Sequence, residues 1–229
     1  MIKHLACIMD GNRRWAKSRG WMAFRGHRQG AETVQMVTDF CLAKGIEYLS
    51  LYTFSIENFK RSEEEKNYFF DLLVEEAEKK LDLFIKKGIR IRFIGDRSLF
   101  PATVLKACEK IEQNTAHLKA LQVNFLFCYG ARQEIVAAAK SLVRQVREGL
   151  MTEDAISDET FHTSLWTHDM PDPEVIIRTG NLKRLSNFML YQAAYAEIYF
   201  LECLWPELTE KHLEDVLAEF DHCRRNFGA

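Results

Sequence analysis

Six short apolar runs, separated by stretches of helical spacing, constrain this chain most. Leu5 to Met9, Tyr48 to Phe54, Ile89 to Ile94, Val123 to Cys128, Val175 to Ile177 and Ile198 to Leu201 each have the length and side chains of a buried strand. Alternation of such strands with helices predicts an α/β fold: a mostly parallel central sheet of about six strands with helices on both faces. Val34, Val37, Phe40 and Cys41 form the apolar stripe of one helix, which Gly45 stops. Ser62 and Glu65 read as a capping box for a long helix through Phe69, Leu72, Leu73, Leu81 and Phe84, ended by Gly88. Thr209 is placed to cap a last helix carrying Leu213, Val216, Leu217 and Phe220. No repeat, low-complexity block or Pro/Gly-rich linker divides the 229 residues, so 1–229 is read as a single domain, long enough to bury a core.

Composition narrows the function. A net charge of -2 supplies no general basic field, so nucleic acid is not an expected partner and the arginines matter locally. Cysteines at 7, 41, 108, 128, 203 and 223 make no CxxC pair and no zinc-ligand spacing; they read as reduced thiols of a cytoplasmic protein. Asp10 and Arg13 interrupt the first apolar segment too early for a signal peptide. The tract from Phe188 to Pro206 contains Gln192, Glu197 and Glu202 and is a poor membrane span, which leaves open a protein working at the inner membrane face.

The chemistry concentrates in Met9-Asp10-Gly11-Asn12-Arg13-Arg14-Trp15. A strand ending at Asp10 puts a carboxylate at the carboxyl edge of the sheet, where open α/β folds bind ligands. Gly11 and Asn12 tolerate a phosphate-cradling turn, and Arg13 and Arg14 can grip phosphate oxygens in fork geometry. Such a turn suits a metal and a diphosphate, although the same residues could merely cap and solvate a strand-to-helix junction. Gly26-His27, Phe54-Ser55-Ile56-Glu57-Asn58-Phe59-Lys60-Arg61, Arg178-Thr179-Gly180 and Lys183-Arg184-Leu185-Ser186-Asn187-Phe188 follow in order.

Together these motifs resemble the cis-prenyltransferase family, over nearly the whole chain from His4 to Phe227. The resemblance implies an Mg²⁺-dependent enzyme that adds isopentenyl diphosphate to an allylic diphosphate such as farnesyl diphosphate. It implies a long polyprenyl diphosphate product, of undecaprenyl length for a cell-wall lipid carrier, which partitions to the membrane. A shorter-chain synthase and a non-catalytic partner subunit are the alternatives. Asp10 is the expected Mg²⁺ ligand, since Mg²⁺ uses one or two carboxylates with diphosphate oxygens and waters. Gly11, Asn12, Arg13, Arg14 and Trp15 are expected at the allylic diphosphate, with Arg13 equally readable as a solvated helix charge.

By the same resemblance His27 supports the diphosphate, and Asn58 and Arg61 serve catalysis and substrate positioning. Ser55 and Asn58 have capping as their plainer role, and Phe59 either closes over substrate or packs in the core. Residues 56–67 read both as a solvated helix start and as a mobile lid. Arg178, Arg184 and Ser186 match the isopentenyl diphosphate site, with structural salt bridges as the alternative. Glu197 matches a second metal-binding acid, acting across a dimer interface or indirectly. Two departures stand out. Asn181 and Leu182 replace a usual glycine and glutamate, and Ala23 replaces a usual arginine, for which Arg25 is the neighbouring substitute.

An apolar tunnel for the product is expected between sheet and helices. Ala31, Thr53, Phe93 and Leu121 are its candidate walls, with Leu121 near the floor by resemblance. The aromatic tract 187–195 with Ile198-Tyr199-Phe200 predicts a homodimer, unless it is buried within one chain.

Overall fold

The computed structural model describes residues 2–222. Its strands are β1 (His4–Ile8), β2 (Tyr48–Ser55), β3 (Ile89–Ile94), β4 (Leu121–Tyr129), β5 (Val175–Arg178) and β6 (Glu197–Phe200). They form one sheet in the order β3-β4-β2-β1-β5-β6, and every neighbouring pair is parallel. Helices α1 (Asn12–Lys17), α2 (Ala23–Lys44), α3 (Glu63–Lys86), α4 (Ala102–Thr115), α5 (Ala131–Arg147) and α6 (Asp158–Thr163) lie in the connections between strands, and α7 (Glu210–His222) follows β6.

Alternation along β1 divides the core. Leu5 and Cys7 face one layer with Val37 and Phe40 of α2, Phe70 and Phe84 of α3 and Ile111 of α4. Ala6 and Ile8 face the other, with Tyr129, Ala131 of α5, Met170, Phe188 and Met189. The punctuation is local. Gly45 ends α2 at φ 67, and the Ser62 hydroxyl accepts from the Glu65 amide at 3.3 Å to start α3. Helix α7 begins at Glu210, directly after Thr209.

Tract 187–195 forms turns rather than a helix, and its apolar anchors Phe188 and Met189 are buried in the second core layer. Cys7, Cys41, Cys108 and Cys128 are buried free thiols, and burial raises the pKa of Cys7 to about 12; Cys223 lies outside the described residues, as does Phe227. No helix among the described residues is long and apolar enough to cross a membrane.

Chain order places the functional end of the sheet. On one side of β1 the chain adds β2, then the edge strand β3, then β4 between them, and it returns to the other side of β1 for β5 and β6. Ligand crevices of open α/β sheets lie at such reversals, beyond the carboxyl ends of the strands. Asp10 follows β1 there, and Arg178 ends β5, with Ile8 and Arg178 in register.

Candidate active site

A cavity of about 860 Å³ opens at that edge and runs between the sheet and helices α2 and α3. Its rim carries Asp10, Asn12, His27, Asn58, Arg178 and Arg184, and its body carries Val34, Leu72, Phe84, Ile91 and Phe125. Ser55, Arg61 and Ser186 also line it, as do the expected wall residues Ala31, Thr53 and Phe93.

Asp10 is fixed from several sides. Its main-chain amide donates to the Thr179 hydroxyl at 3.1 Å, which donates to the Asp10 carbonyl at 2.7 Å. Its carboxylate accepts from Arg178 at 2.8 Å and from Arg14 at 3.3 Å. Arg178 is 4% exposed and spends its other terminal nitrogen on the Arg184 carbonyl at 2.5 Å and the Ser186 hydroxyl at 2.7 Å. Arg184 Nε donates to the same hydroxyl at 3.2 Å. Gly180 carries this turn past Asp10 at a φ of 88, a conformation L side chains rarely adopt and glycine takes freely. Asn181 follows at φ 56, a left-handed conformation that asparagine tolerates far better than most residues, which accounts for asparagine serving in place of a glycine.

The opposite rim comes from the first turns of the helices. Gly11 caps α1, and a Cβ on Gly26 would lie 2.0 Å from the Asn12 carbonyl, so α2 packs this closely on α1 only with glycine there. His27 is half-buried, edge-on to Phe69, and its buried Nε2 has no protein partner. Burial, with Arg61 and Arg13 adding to it, lowers the His27 pKa to about 4, so the ring is neutral at pH 7. Asn12 Oδ1 and Arg178 Nε are also buried and unpartnered. Unpaired groups at one cavity rim are where a polar ligand supplies the missing hydrogen bonds. The Ser55 amide donates to Asn58 Oδ1 at 3.2 Å, so these residues form the expected turn at the 3-10 segment Ile56–Lys60 while lining the cavity.

Four expected residues stand elsewhere. Trp15 is buried edge-on to Trp21 with the Arg19 guanidinium 4.2 Å above it, so it anchors α1. Phe59 packs edge-on to Phe54 in the main core. Leu121 opens β4 opposite Ile89 at the amino edge of the sheet, fully buried and not on the cavity wall. Glu197 opens β6 level with Val175, at the sheet edge opposite Asp10, and accepts from the Tyr199 hydroxyl at 2.7 Å. Within one chain it therefore does not join Asp10 at a metal. Arg13 is largely exposed and pairs with Glu65 at 3.6 Å, which also holds Arg61 at 3.2 Å. Arg25 lies over the Trp21 ring rather than on the cavity.

The cavity also includes residues that sequence reasoning passed over. Glu57 holds the Asn187 side-chain amide at 2.9 Å, and the Tyr52 hydroxyl donates to the Ser186 carbonyl at 3.2 Å, both bracing the Arg184–Ser186 turn. Glu76 and Lys80 sit on the stripe of α3 that carries Phe69, Leu72 and Leu73, a helical spacing visible in the sequence.

Residues 8–228 match the family model described as "Putative undecaprenyl diphosphate synthase". The chain belongs to the undecaprenyl diphosphate synthase family of cis-prenyltransferases. It is 42% identical to the isoprenyl transferase of Bacillus subtilis over 226 residues, covering 99% of this chain and 87% of that protein. Among solved structures, lavandulyl diphosphate synthase from Lavandula x intermedia superposes with a TM-score of 0.96 at 31% identity, covering 100% and 98% of the two chains. A "probable undecaprenyl diphosphate synthase" of Campylobacter jejuni gives a TM-score of 0.82 at 38% identity, with 100% and 99% covered. Family and fold agree that the chain is a cis-prenyltransferase enzyme.

Proposed function

We propose that this cis-prenyltransferase elongates an allylic diphosphate such as farnesyl diphosphate with isopentenyl diphosphate units and releases a long-chain, undecaprenyl, diphosphate for a cell-wall lipid carrier. The observation that carries this reading is one continuous cavity whose rim is charged and whose body is apolar. A diphosphate head and a hydrocarbon tail need those two environments together. The lavandulyl diphosphate synthase structure is a complex with dimethylallyl diphosphate, which supports an allylic diphosphate as a substrate here.

In this reading Gly11, Asn12, Arg14 and neutral His27 hold the allylic diphosphate at the α1 and α2 amino ends. Arg178, Arg184 and Ser186 hold isopentenyl diphosphate, already mutually oriented by their hydrogen bonds. Asn58 and Arg61 position the reacting ends, and residues 56–67 close over them to keep water from the carbocation. Asp10 is the carboxylate fitted to Mg²⁺, because one carboxylate completed by diphosphate oxygens and waters is a common Mg²⁺ set. When bound, the ion offsets charge developing on the departing diphosphate. We place the enzyme in the cytoplasm as a homodimer, with Glu197 acting across the dimer interface or only indirectly. A shorter product is the second reading, favoured by the charged Glu76 and Lys80 side chains on the cavity wall.

The test is incubation with farnesyl diphosphate, labelled isopentenyl diphosphate and Mg²⁺, followed by product sizing. Long polyprenyl diphosphate is expected, and no elongation overturns the reading. Arg184→Ala should chiefly raise KM for isopentenyl diphosphate and Arg14→Ala that for the primer; equal effects on both substrates remove the division of sites. Light scattering reporting a fully active single chain of 26.7 kDa would dismiss the dimer.

A further inference from the structure

The face of α3 turned to the cavity carries Phe69, Leu72, Leu73, Ala77 and Phe84, and two charged residues interrupt it. Glu76 and Lys80 pair at 3.1 Å, each side chain about one-fifth exposed. Lys80 Nζ also donates, at 3.2 Å, to the Ala31 carbonyl in the middle of α2. The pair therefore spans the seam between the two helices that wall the cavity. At 1.5 Å of rise per residue, Glu76 stands about 10 Å and Lys80 about 16 Å along α3 from Phe69, with Phe84 a further turn on.

Fastening the helices together does not account for it. Arg28 with Glu75 and Asp39 with Lys87 already tie α2 to α3 through side chains that do not line the cavity. Apolar residues of similar size at a partly buried pair usually stabilise a fold as well or better. Toward a hydrocarbon, however, the pair acts strongly. An alkyl chain passing it must strip water from a carboxylate and an ammonium while offering no hydrogen bond in return.

We propose that Glu76 and Lys80 form a specificity-determining pair that sets product length, halting the growing hydrocarbon before it reaches the compartment of Phe84 and Ile91. This inference rests on the elongation reading above, in its shorter-product form.

The test is product sizing for Glu76→Leu/Lys80→Leu under the same assay, with thermal unfolding to establish that the variant is folded. The product distribution should move by one or more isoprene units toward longer chains. KM for both diphosphates should stay within about threefold of the parent, since the pair lies away from the diphosphate rim. If the leucine pair fails to fold, Glu76→Gln/Lys80→Met removes both charges at nearly constant volume and carries the same expectation. An unchanged length distribution in a folded, active variant overturns the inference alone. Failure of the unaltered protein to elongate at all overturns the elongation reading and the inference with it.

Discussion

Arg178 Nη2 lies 2.8 Å from Asp10 Oδ2, and the two residues that make this contact are separated by 168 positions in the chain. The carboxylate expected to face a metal thus also neutralises a guanidinium that is almost wholly buried. Its removal should be felt twice. Asp10→Ala should lower turnover by about 10²-fold or more and cost about 1–3 kcal/mol of stability, because it strands the Arg178 charge. Asp10→Asn, which keeps an acceptor, should retain more stability than alanine while losing comparable turnover. Urea unfolding beside steady-state kinetics separates the two effects, and full activity in either variant removes Asp10 from the mechanism.

A buried acid, Glu134, tests the scaffold of the second core layer. Glu134 on α5 is 1% exposed and accepts from the Tyr129 hydroxyl at 2.5 Å, the Thr167 amide at 3.0 Å, the Thr167 hydroxyl at 2.9 Å and Gln192 at 3.1 Å. Glu134→Ala leaves these donors facing an empty volume and should cost about 3 kcal/mol or more. Glu134→Gln, which retains one acceptor oxygen, should cost less. Chemical denaturation of the three proteins checks the order, and equal midpoints would contradict it.

Two neutral histidines give stability a definite dependence on pH. Burial lowers the pKa of His4 to about 4, against opposing contributions from the Pro171 carbonyl and Glu174, and His27 is lowered to about 4 mainly by burial. Between about pH 4 and the ordinary value of 6.5 the unfolded chain binds the extra protons, so stability falls as pH drops through that window and is insensitive to these groups above it. Each group contributes a slope of up to about 1.4 kcal/mol per pH unit. Unfolding midpoints from pH 7.5 down to about 4.5 should show the loss, and His4→Gln should remove about half of the slope. A slope unchanged by that substitution would count against His4.

Asn181 offers a test of backbone conformation free of side-chain chemistry. At φ 56, glycine should be accepted with stability equal to or up to about 1 kcal/mol above the parent, while valine should cost about 1–2 kcal/mol. Product formation should persist in Asn181→Gly. Equal stability of the valine variant would show that the turn relaxes.

Much of this was legible in the sequence because strands and caps are written locally. All six apolar runs are strands, and Gly45, Ser62 and Thr209 mark helix ends where expected. The rim was legible as well, since Asp10, Asn58 and Arg184 sit in turns directly after strands or short motifs. What the sequence concealed depends on three-dimensional level along the sheet. Leu121 and Glu197 begin their strands, and in a parallel sheet every strand start lies at the edge remote from the cavity mouth. Trp15 and Phe59 adjoin true rim residues in sequence but turn their rings into aromatic packing. Glu76 and Lys80 belong to a charge-rich helix, and only the position of α3 over the sheet shows which way their stripe faces.

The strand order has a consequence for the newly made chain. The first strand synthesised is central, and one of its flanks is covered only by β5, whose residues begin at Val175. A nascent polypeptide that has emerged only through β4 can assemble four of the six strands, yet it presents the free edge of β1 as a template for unwanted pairing. Asp10, released from the ribosome 168 residues before Arg178, waits for it. Elongation pauses or premature stops in the intervening stretch should therefore yield aggregation-prone, inert fragments rather than weakly active ones, and the arrival of β5 decides whether an enzyme exists at all.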